Sequence, residues 1–389
     1  MEIDLKQLHV KKIEILNLWG KEEISIPFKN RVTFLTGING TGKSSILNVL
    51  FDSLNPTPQS LGKPATSKYR FWSSELTLIN DSQIATLIIP QIEGNSTIFE
   101  EIDELIDNRH FHDIELLRQA QSLYESIGDD VTSAFLSYES KNTGEMWKKS
   151  YRNSEDIFQD SSDSHEFIDS LSSKKPLAFL FQEDRLSMHN LKNYDIETNT
   201  MFWNVYSSSI DERFAYCRSA VQAREAHLNK LFVQEINRVK GEGDKDFLDK
   251  LMASKSYLSI ARQQKELDDV LDKINEYFEA TNKRIARDAY DKITLANVLN
   301  NGEEELISWQ LLSRGEKTLI YLFLSVYYYK DRVAVFLLDE PEISFHVKWQ
   351  KNLIRDLSNI APDNQFIITT HSPSLVKNGW LHNCLELTI

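Results

Sequence analysis

Cysteine is almost absent: Cys217 and Cys384 are the only two in 389 residues. Two thiols so far apart, without metal-ligand spacing, exclude a disulfide scaffold and a zinc site and fit a reducing compartment. Basic charge is also short. The 44 basic residues face 58 acidic ones, a formal charge of -14, so the chain as a whole lacks the footprint of a dedicated nucleic-acid binder. Any nucleic-acid contact has to be local. Long apolar runs are missing too, since no stretch approaches the roughly 18 to 20 residues of a membrane span. The opening Met1-Glu2-Ile3-Asp4 has neither a basic n-region nor an apolar h-region. These absences lead us to expect a cytoplasmic protein with no membrane partner. What the chain does have is 41% apolar residues, enough for one large domain with a substantial insertion.

Lys12 to Leu18 and Glu23 to Phe28 alternate apolar and polar residues as half-buried strands do, and Val32 to Thr36 is a short apolar run entering a Gly-rich loop. Ser45 to Leu54 then reads as a helix. Asn55 to Lys68 collects prolines and a glycine and reads as an irregular connection. Strands are expected again at Glu75 to Leu78, Ala85 to Ile89 and Leu177 to Phe181, a helix within Ile98 to Tyr124, and a mobile loop over the Ser- and Asp-rich Tyr151 to Ser173. From Asp211 to Lys240 and from Asp246 to Lys283, helix formers dominate without proline, separated by Gly241-Glu242-Gly243-Asp244. This predicts a helical hairpin. Leu267, Leu271, Ile274 and Phe278 step like a coiled-coil seam, and at 1.5 Å per residue the arm would project about 45 to 55 Å. The last part alternates helix (Gly315 to Tyr329), strand (Val333 to Leu338), helix (His346 to Ile360) and strand (Gln365 to Thr370), the pattern of a mostly parallel sheet.

Gly37-Ile38-Asn39-Gly40-Thr41-Gly42-Lys43-Ser44 matches the Walker A pattern. In that pattern backbone amides surround phosphate oxygens, here from Asn39, Gly40, Thr41, Gly42, Lys43, Ser44 and Ser45. Lys43 pairs with the β and γ phosphates, and the Ser44 hydroxyl reaches Mg²⁺. The expected cofactors are ATP and Mg²⁺. Val333 to Leu338 is an apolar run that ends in Asp339 and Glu340. A buried strand there delivers Asp339 to the metal and leaves Glu340, not occupied by metal, to polarise the attacking water.

Leu312-Ser313-Arg314-Gly315-Glu316 resembles the ABC signature motif, Asp339-Glu340-Pro341-Glu342 its Walker B, and Thr370-His371-Ser372-Pro373 its switch-histidine loop, in the family's order. With Ile343-Ser344-Phe345-His346 and Trp349-Gln350 following, the chain looks like the RecF, SMC and OLD-type ATPases of DNA repair and phage defence. The resemblance implies an α/β head with a mostly parallel sheet, an N-terminal antiparallel β region and a helical-hairpin insertion. Its segments would be an N-terminal lobe over 1-205, the insertion over 206-300 and a C-terminal lobe over 301-389. Two heads would sandwich two ATP molecules, with Ser313 and Gly315 touching the γ-phosphate held by the partner's loop and His371 sensing that phosphate beside Glu340. Arg314 stands where a second glycine is usual, which puts the turn's geometry in question, and Glu316 replaces the common glutamine. The family's glutamine, which orients water and Mg²⁺, is assigned to Gln182, with Gln91 as the rival. Trp19 is a candidate to stack on adenine or a buried aromatic.

The resemblance also shapes the expected partners: a second copy in a head-to-head dimer or larger oligomer, and a separate effector such as a nuclease. Only 18 residues follow His371, and no metal-binding constellation of a nuclease stands out, so the expected effector is a separate chain. An alternative is a repair ATPase that clamps DNA when ATP-bound, with nucleic acid as a further partner. A transporter's nucleotide-binding subunit is disfavoured by the long insertion between Lys43 and Ser313. Two basic groups bear on DNA binding: Trp147, Lys148, Lys149, Tyr151 and Arg152, and separately Lys283, Arg284 and Arg287. Arg109, His110, His112 and Asp113 read as solvated helix surface rather than metal ligands.

Overall fold

The computed structural model describes residues 4–18, 23–38, 40–54, 72–92, 113–125, 131–142, 146–152, 177–182, 210–240, 247–290 and 292–387. In chain order these form β1 (Val10–Leu16), β2 (Glu23–Pro27), β3 (Val32–Thr36), α1 (Lys43–Leu54), β4 (Trp72–Leu78), β5 (Gln83–Ile92), α2 (Ile114–Glu125), β6 (Val131–Ser140), β7 (Met146–Arg152) and β8 (Ala178–Gln182). Next come α3 (Ile210–Lys240), α4 (Phe247–Ala253), α5 (Lys255–Phe278), β9 (Lys283–Arg287), β10 (Ile293–Val298) and β11 (Glu304–Ile307). The chain closes with α6 (Arg314–Tyr329), β12 (Val335–Asp339), α7 (Val347–Ile360), β13 (Gln365–Thr369), α8 (Pro373–Val376) and β14 (Cys384–Glu386). Two compact units result: Met1–Ser207 with Arg332–Pro341 and Asp363–Ile389, and Ser208–Asp331 with Glu342–Pro362.

The first unit is organised by an all-parallel sheet in the order β14-β3-β13-β12-β8. Its inner strands are almost wholly apolar because both faces are covered. Phe336 stacks on Phe366 with ring centroids 5.1 Å apart and lies 5.7 Å from Phe179. Helix α1 lays Ile46, Leu47, Leu50, Phe51 and Leu54, all buried, into this core. Because the strands are parallel, their C-terminal residues fall at one end of the sheet. That end carries Thr36, Thr369, Asp339 and Gln182, the polar residues that terminate four apolar runs. A second sheet, antiparallel in the order β2-β1-β4-β5-β6-β7, supplies the expected N-terminal β region.

The second unit is built around α6, which is buried on nearly every side from Leu319 to Tyr327 and is therefore a core helix rather than an amphipathic one. Helices α3 and α5 run antiparallel: Arg224, midway along α3, bonds to Gln263, while Glu235, further along α3, bonds back to Ser254 at the start of α5. At about 1.5 Å per residue, the 31 residues of α3 span about 46 Å. The helical hairpin is therefore present, but its second limb ends at Phe278, short of Lys283. Leu267, Leu271, Ile274 and Phe278 are all buried along α5. Their helix ends in the aromatic core, with Tyr277 edge-on to Phe323 at 5.4 Å and Phe278 6.2 Å from Trp349. The residues after it form β9, β10 and β11, a three-stranded antiparallel sheet. The second compact unit begins at Ser208, beside the expected start of the insertion at 206, but runs past 300 to Asp331. Part of the expected insertion is strand, and 332–341 leaves the second unit to carry β12 into the parallel sheet.

Two smaller differences concern the middle of the chain. Helix α2 begins only at Ile114, and the expected helix residues before Asp113 lie outside the described residues. Tyr151 and Arg152 belong to β7, while the remainder of the expected loop to Ser173 also lies outside them.

Candidate functional site

Strand β3 hands the chain to the Gly-rich loop at Gly37, whose φ of +141° suits glycine. A Cβ there would approach the Leu387 carbonyl at 3.0 Å and the Thr41 hydroxyl at 3.1 Å, so any side chain would crowd the turn. Thr41 is buried and donates its hydroxyl to the Ile38 carbonyl at 3.0 Å, closing the loop on itself. Lys43 opens α1 and turns back, donating Nζ to the carbonyls of Gly37 and Ile38 at 3.0 Å each. Burial holds its pKa below the ordinary lysine value, opposed by the charges of Glu340 and Asp339. Gly40 and Gly42 continue the loop, and Ser44 and Ser45 lie in the first turn of α1. Asn39 lies outside the described residues.

The loop meets the acids through Ser44, whose hydroxyl donates to Asp339 Oδ1 at 2.9 Å. That same oxygen accepts the Thr369 hydroxyl at 2.5 Å. Thr369 also holds the next acid, because Glu340 N–H donates to the Thr369 carbonyl at 3.1 Å and to its Oγ1 at 3.0 Å. Glu340 needs that hold. Its φ of +48° is left-handed for a non-glycine residue, a conformation that costs about 1 to 3 kcal/mol and persists where the surroundings over-determine it. The twist sets the carboxylate against His371, with Nε2 to Oε1 at 3.3 Å. We expect Thr369→Val, nearly isosteric, to lose about 1 to 3 kcal/mol of stability, seen as a lower urea midpoint at unchanged slope. An unchanged midpoint would show that the hydroxyl holds neither acid.

The register places Gln182 directly opposite Asp339 on the other flank of β12. Its amide donates to Asn48 Oδ1 on α1 at 2.6 Å. Gln91 sits elsewhere: its backbone lies on β5, opposite Ser133 of the antiparallel sheet, and its side chain is outside the described residues. Of the two glutamines, the fold brings Gln182 to the acids. Trp19 lies outside the described residues.

In the second unit, Ser313 caps α6, with φ -63° and ψ 162°. Its hydroxyl accepts from Glu316 N–H at 3.3 Å while Glu316 Oε2 accepts from Ser313 N–H at 2.7 Å, a reciprocal capping box. This answers the question raised by Arg314. The residue is the first of the helix, a conformation open to arginine as readily as to glycine. Gly315 is different, because a Cβ there would lie 2.4 Å from the Ser344 carbonyl.

The remaining candidates separate. Asp113 accepts from Glu115 N–H at 2.8 Å and Leu116 N–H at 3.3 Å, so it caps α2. Arg109, His110 and His112 are outside the described residues, among which no cluster of His, Cys, Asp and Glu could hold a metal. Trp147, Lys148, Lys149, Tyr151 and Arg152 lie on β7, their side chains outside the described residues. Lys283, Arg284 and Arg287 are neutralised by Glu316, by Glu304, and by Glu225 with Asp268, which weakens that cluster as a grip on nucleic acid. Sequence reasoning missed Thr369, a threonine ending an apolar strand with no local mark of its two roles. Among the described residues no helix is long and apolar enough to cross a membrane.

The chain is similar to several known proteins. The Retron Vc95 probable ATPase of Vibrio cholerae serotype O1 biovar El Tor is 24% identical over 372 residues, 89% of this chain and 66% of that protein. The Retron Ec83 probable ATPase of Escherichia coli is 23% identical over 406 residues, 96% of this chain and 71% of that protein. This chain thus spans about two thirds of the length of these relatives. A solved SmcHead bound to the C-winged helix domain of ScpA aligns over 95% of this chain and 92% of its own, at 13% identity and a TM-score of 0.42. Residues 32–377 match the family model for an AAA domain, putative AbiEii toxin, Type IV TA system, and the chain belongs to that family.

Proposed function

We propose that the chain is an ATPase that closes as a dimer around Mg²⁺ and ATP and controls a separate effector, such as a nuclease, in antiphage defence. The observation that carries the ATPase reading is the juxtaposition of Ser44, Asp339, Glu340 and His371 at one end of the parallel sheet. The Ser44 hydroxyl and the Asp339 carboxylate are hard oxygen donors that suit Mg²⁺, and Gln182 joins them from the adjacent strand. Mg²⁺, when bound, neutralises charge on the phosphates. Lys43 binds the β and γ phosphates, and the amides from Asn39 to Ser45 cradle them. Glu340, one residue beyond the metal ligand, takes the proton of the attacking water, and His371 orients its carboxylate and faces the γ-phosphate.

Ser313 and Gly315 complete the site from a second copy, through the N-terminal end of α6. Two surfaces support this reading. Around the signature turn Leu311, Ile343 and Val347 are at least half exposed, and Ile38 in the Gly-rich loop is 80% exposed, as apolar groups covered on association are. The defence assignment is supported by the resemblance to stand-alone ATPases of phage-defence operons and by the two retron ATPases. Light scattering tests the dimer: with Mg²⁺ and a slowly hydrolysed ATP analogue the mass should rise about twofold, and with ADP it should fall back. A mass indifferent to the analogue would overturn the shared site.

A further inference from the structure

We propose that Lys283 is a positioning residue for the signature turn: its ammonium holds Glu316, and Glu316 in turn holds the backbone of Ser313. The inference rests on the reading of Ser313 as a phosphate contact, and the experiment below separates the two.

Glu316 is 3% exposed. A carboxylate so placed is unfavourable unless it is paired and hydrogen-bonded. Lys283 Nζ donates to both its oxygens, at 3.0 and 2.9 Å, while Oε2 also accepts Ser313 N–H at 2.7 Å. Burial pulls the Glu316 pKa up, and the hydrogen bonds from Lys283 and Ser313 outweigh it, so the group stays below the ordinary glutamate value. The capping box therefore depends on an ionised side chain, and Lys283 keeps it ionised and aimed. A glutamine, usual at this place in the motif, would need no cation. This chain's glutamate does.

Lys283 is itself held firmly. Its Nζ makes a third bond to the Leu311 carbonyl, at 3.2 Å, on the approach to the turn. Its strand β9 is tied to α5 by Asn275, which accepts from Ile285 N–H at 2.7 Å and donates to the Ile285 carbonyl at 3.1 Å. Val298 N–H donates to the Asn282 carbonyl at 2.7 Å, fixing the residue just before it. The end of the helical hairpin thus sets where the ammonium sits, and the ammonium sets the signature turn.

The test compares Lys283→Met, Lys283→Arg, Glu316→Gln and the double mutant Lys283→Met with Glu316→Gln, alongside Ser313→Arg. Each is measured for kcat, for binding of a fluorescent ATP analogue and for thermal unfolding. In Lys283→Met we expect kcat to fall about tenfold or more, the cost of an uncompensated buried carboxylate. Analogue binding should change by less than about twofold, since the Gly-rich loop is untouched. Lys283→Arg should retain most turnover. The double mutant, with no buried charge left, should recover to within about threefold of the wild type. A merely structural lysine would lose analogue binding and thermal stability in step with kcat, whereas a positioning one loses kcat with binding unchanged. Lys283→Met turning over at the wild-type rate, or a double mutant no better than the single one, overturns the inference while Ser313→Arg remains inactive. Should Ser313→Arg keep full turnover, it is the phosphate contact that fails, and the inference falls with it. If Lys283→Met does not fold, Lys283→Gln replaces it; failure of both to fold places Lys283 in the stability of the unit and overturns the role proposed here.

Discussion

Glu340→Gln should lower ATP turnover by about two to four orders of magnitude, the usual contribution of a positioned general base, while ATP still binds. The amide matches the carboxylate in size but cannot take a proton from water. The groups proposed to hold nucleotide are elsewhere: Lys43, on the loop carbonyls, and Ser44, on Asp339. The backbone should stay in place as well, because the left-handed Glu340 is fixed by its N–H to Thr369, a bond the substitution leaves alone. One secondary effect follows. Burial depresses the Lys43 pKa, and Glu340 is the larger of the two acidic charges opposing it. Removing that charge depresses it further, so as pH rises Lys43 should lose its positive charge, and the variant its nucleotide affinity, before the wild type does. Stopped turnover with ATP bound should appear as an accumulated dimer. Turnover within about threefold of the wild type would remove Glu340 as the base.

Much of this site could be read in the sequence because its parts are local. Strand β3 has the bounds its apolar run predicts, and the Gly-rich loop follows it directly. Four of the five parallel strands were legible as unbroken apolar runs, the short β14 being missed, and a run that ends abruptly in Asp, Gln or Thr marks the sheet end where polar groups gather. The second unit was less legible for physical reasons. Leu267, Leu271, Ile274 and Phe278 form one apolar face, and that spacing is the same whether the face meets another arm helix or a domain core. The strand β9, Lys-Arg-Ile-Ala-Arg, has a single large apolar residue, and β11 is mostly exposed, so neither stood out beside good helix formers. The partnerships of Thr369 with Asp339 and Glu340, and of Lys283 with Glu316, join residues about 30 positions apart. No periodicity announces them; only the folded backbone brings them together.

Ser313→Arg is expected to lower turnover by about a hundredfold or more, the scale for removing a donor that stabilises developing charge. Binding of ATP to the isolated Gly-rich loop should stay within about twofold of the wild type, because the substitution lies in the other compact unit. Two effects are mixed in this variant, and Ser313→Ala separates them. Alanine removes the cap to Glu316 N–H, a loss of about 0.5 to 2 kcal/mol in the stability of α6, together with the hydroxyl that would touch phosphate, but it leaves space for a phosphate to reach the amides at the helix end. Arginine loses the same cap and also fills the place where a phosphate would meet the helix end. If the cap alone mattered, both variants would lose stability and turnover alike. If Ser313 faces a phosphate held by a second copy, arginine should be far more damaging to turnover than alanine at similar stability, and it should also abolish the ATP-dependent rise in mass. Gly315→Ala should resemble arginine, since its Cβ would press on the Ser344 carbonyl at 2.4 Å and displace the turn. Wild-type turnover in Ser313→Arg would mean that the loop carrying Lys43 and Ser44 hydrolyses ATP without help from a second chain.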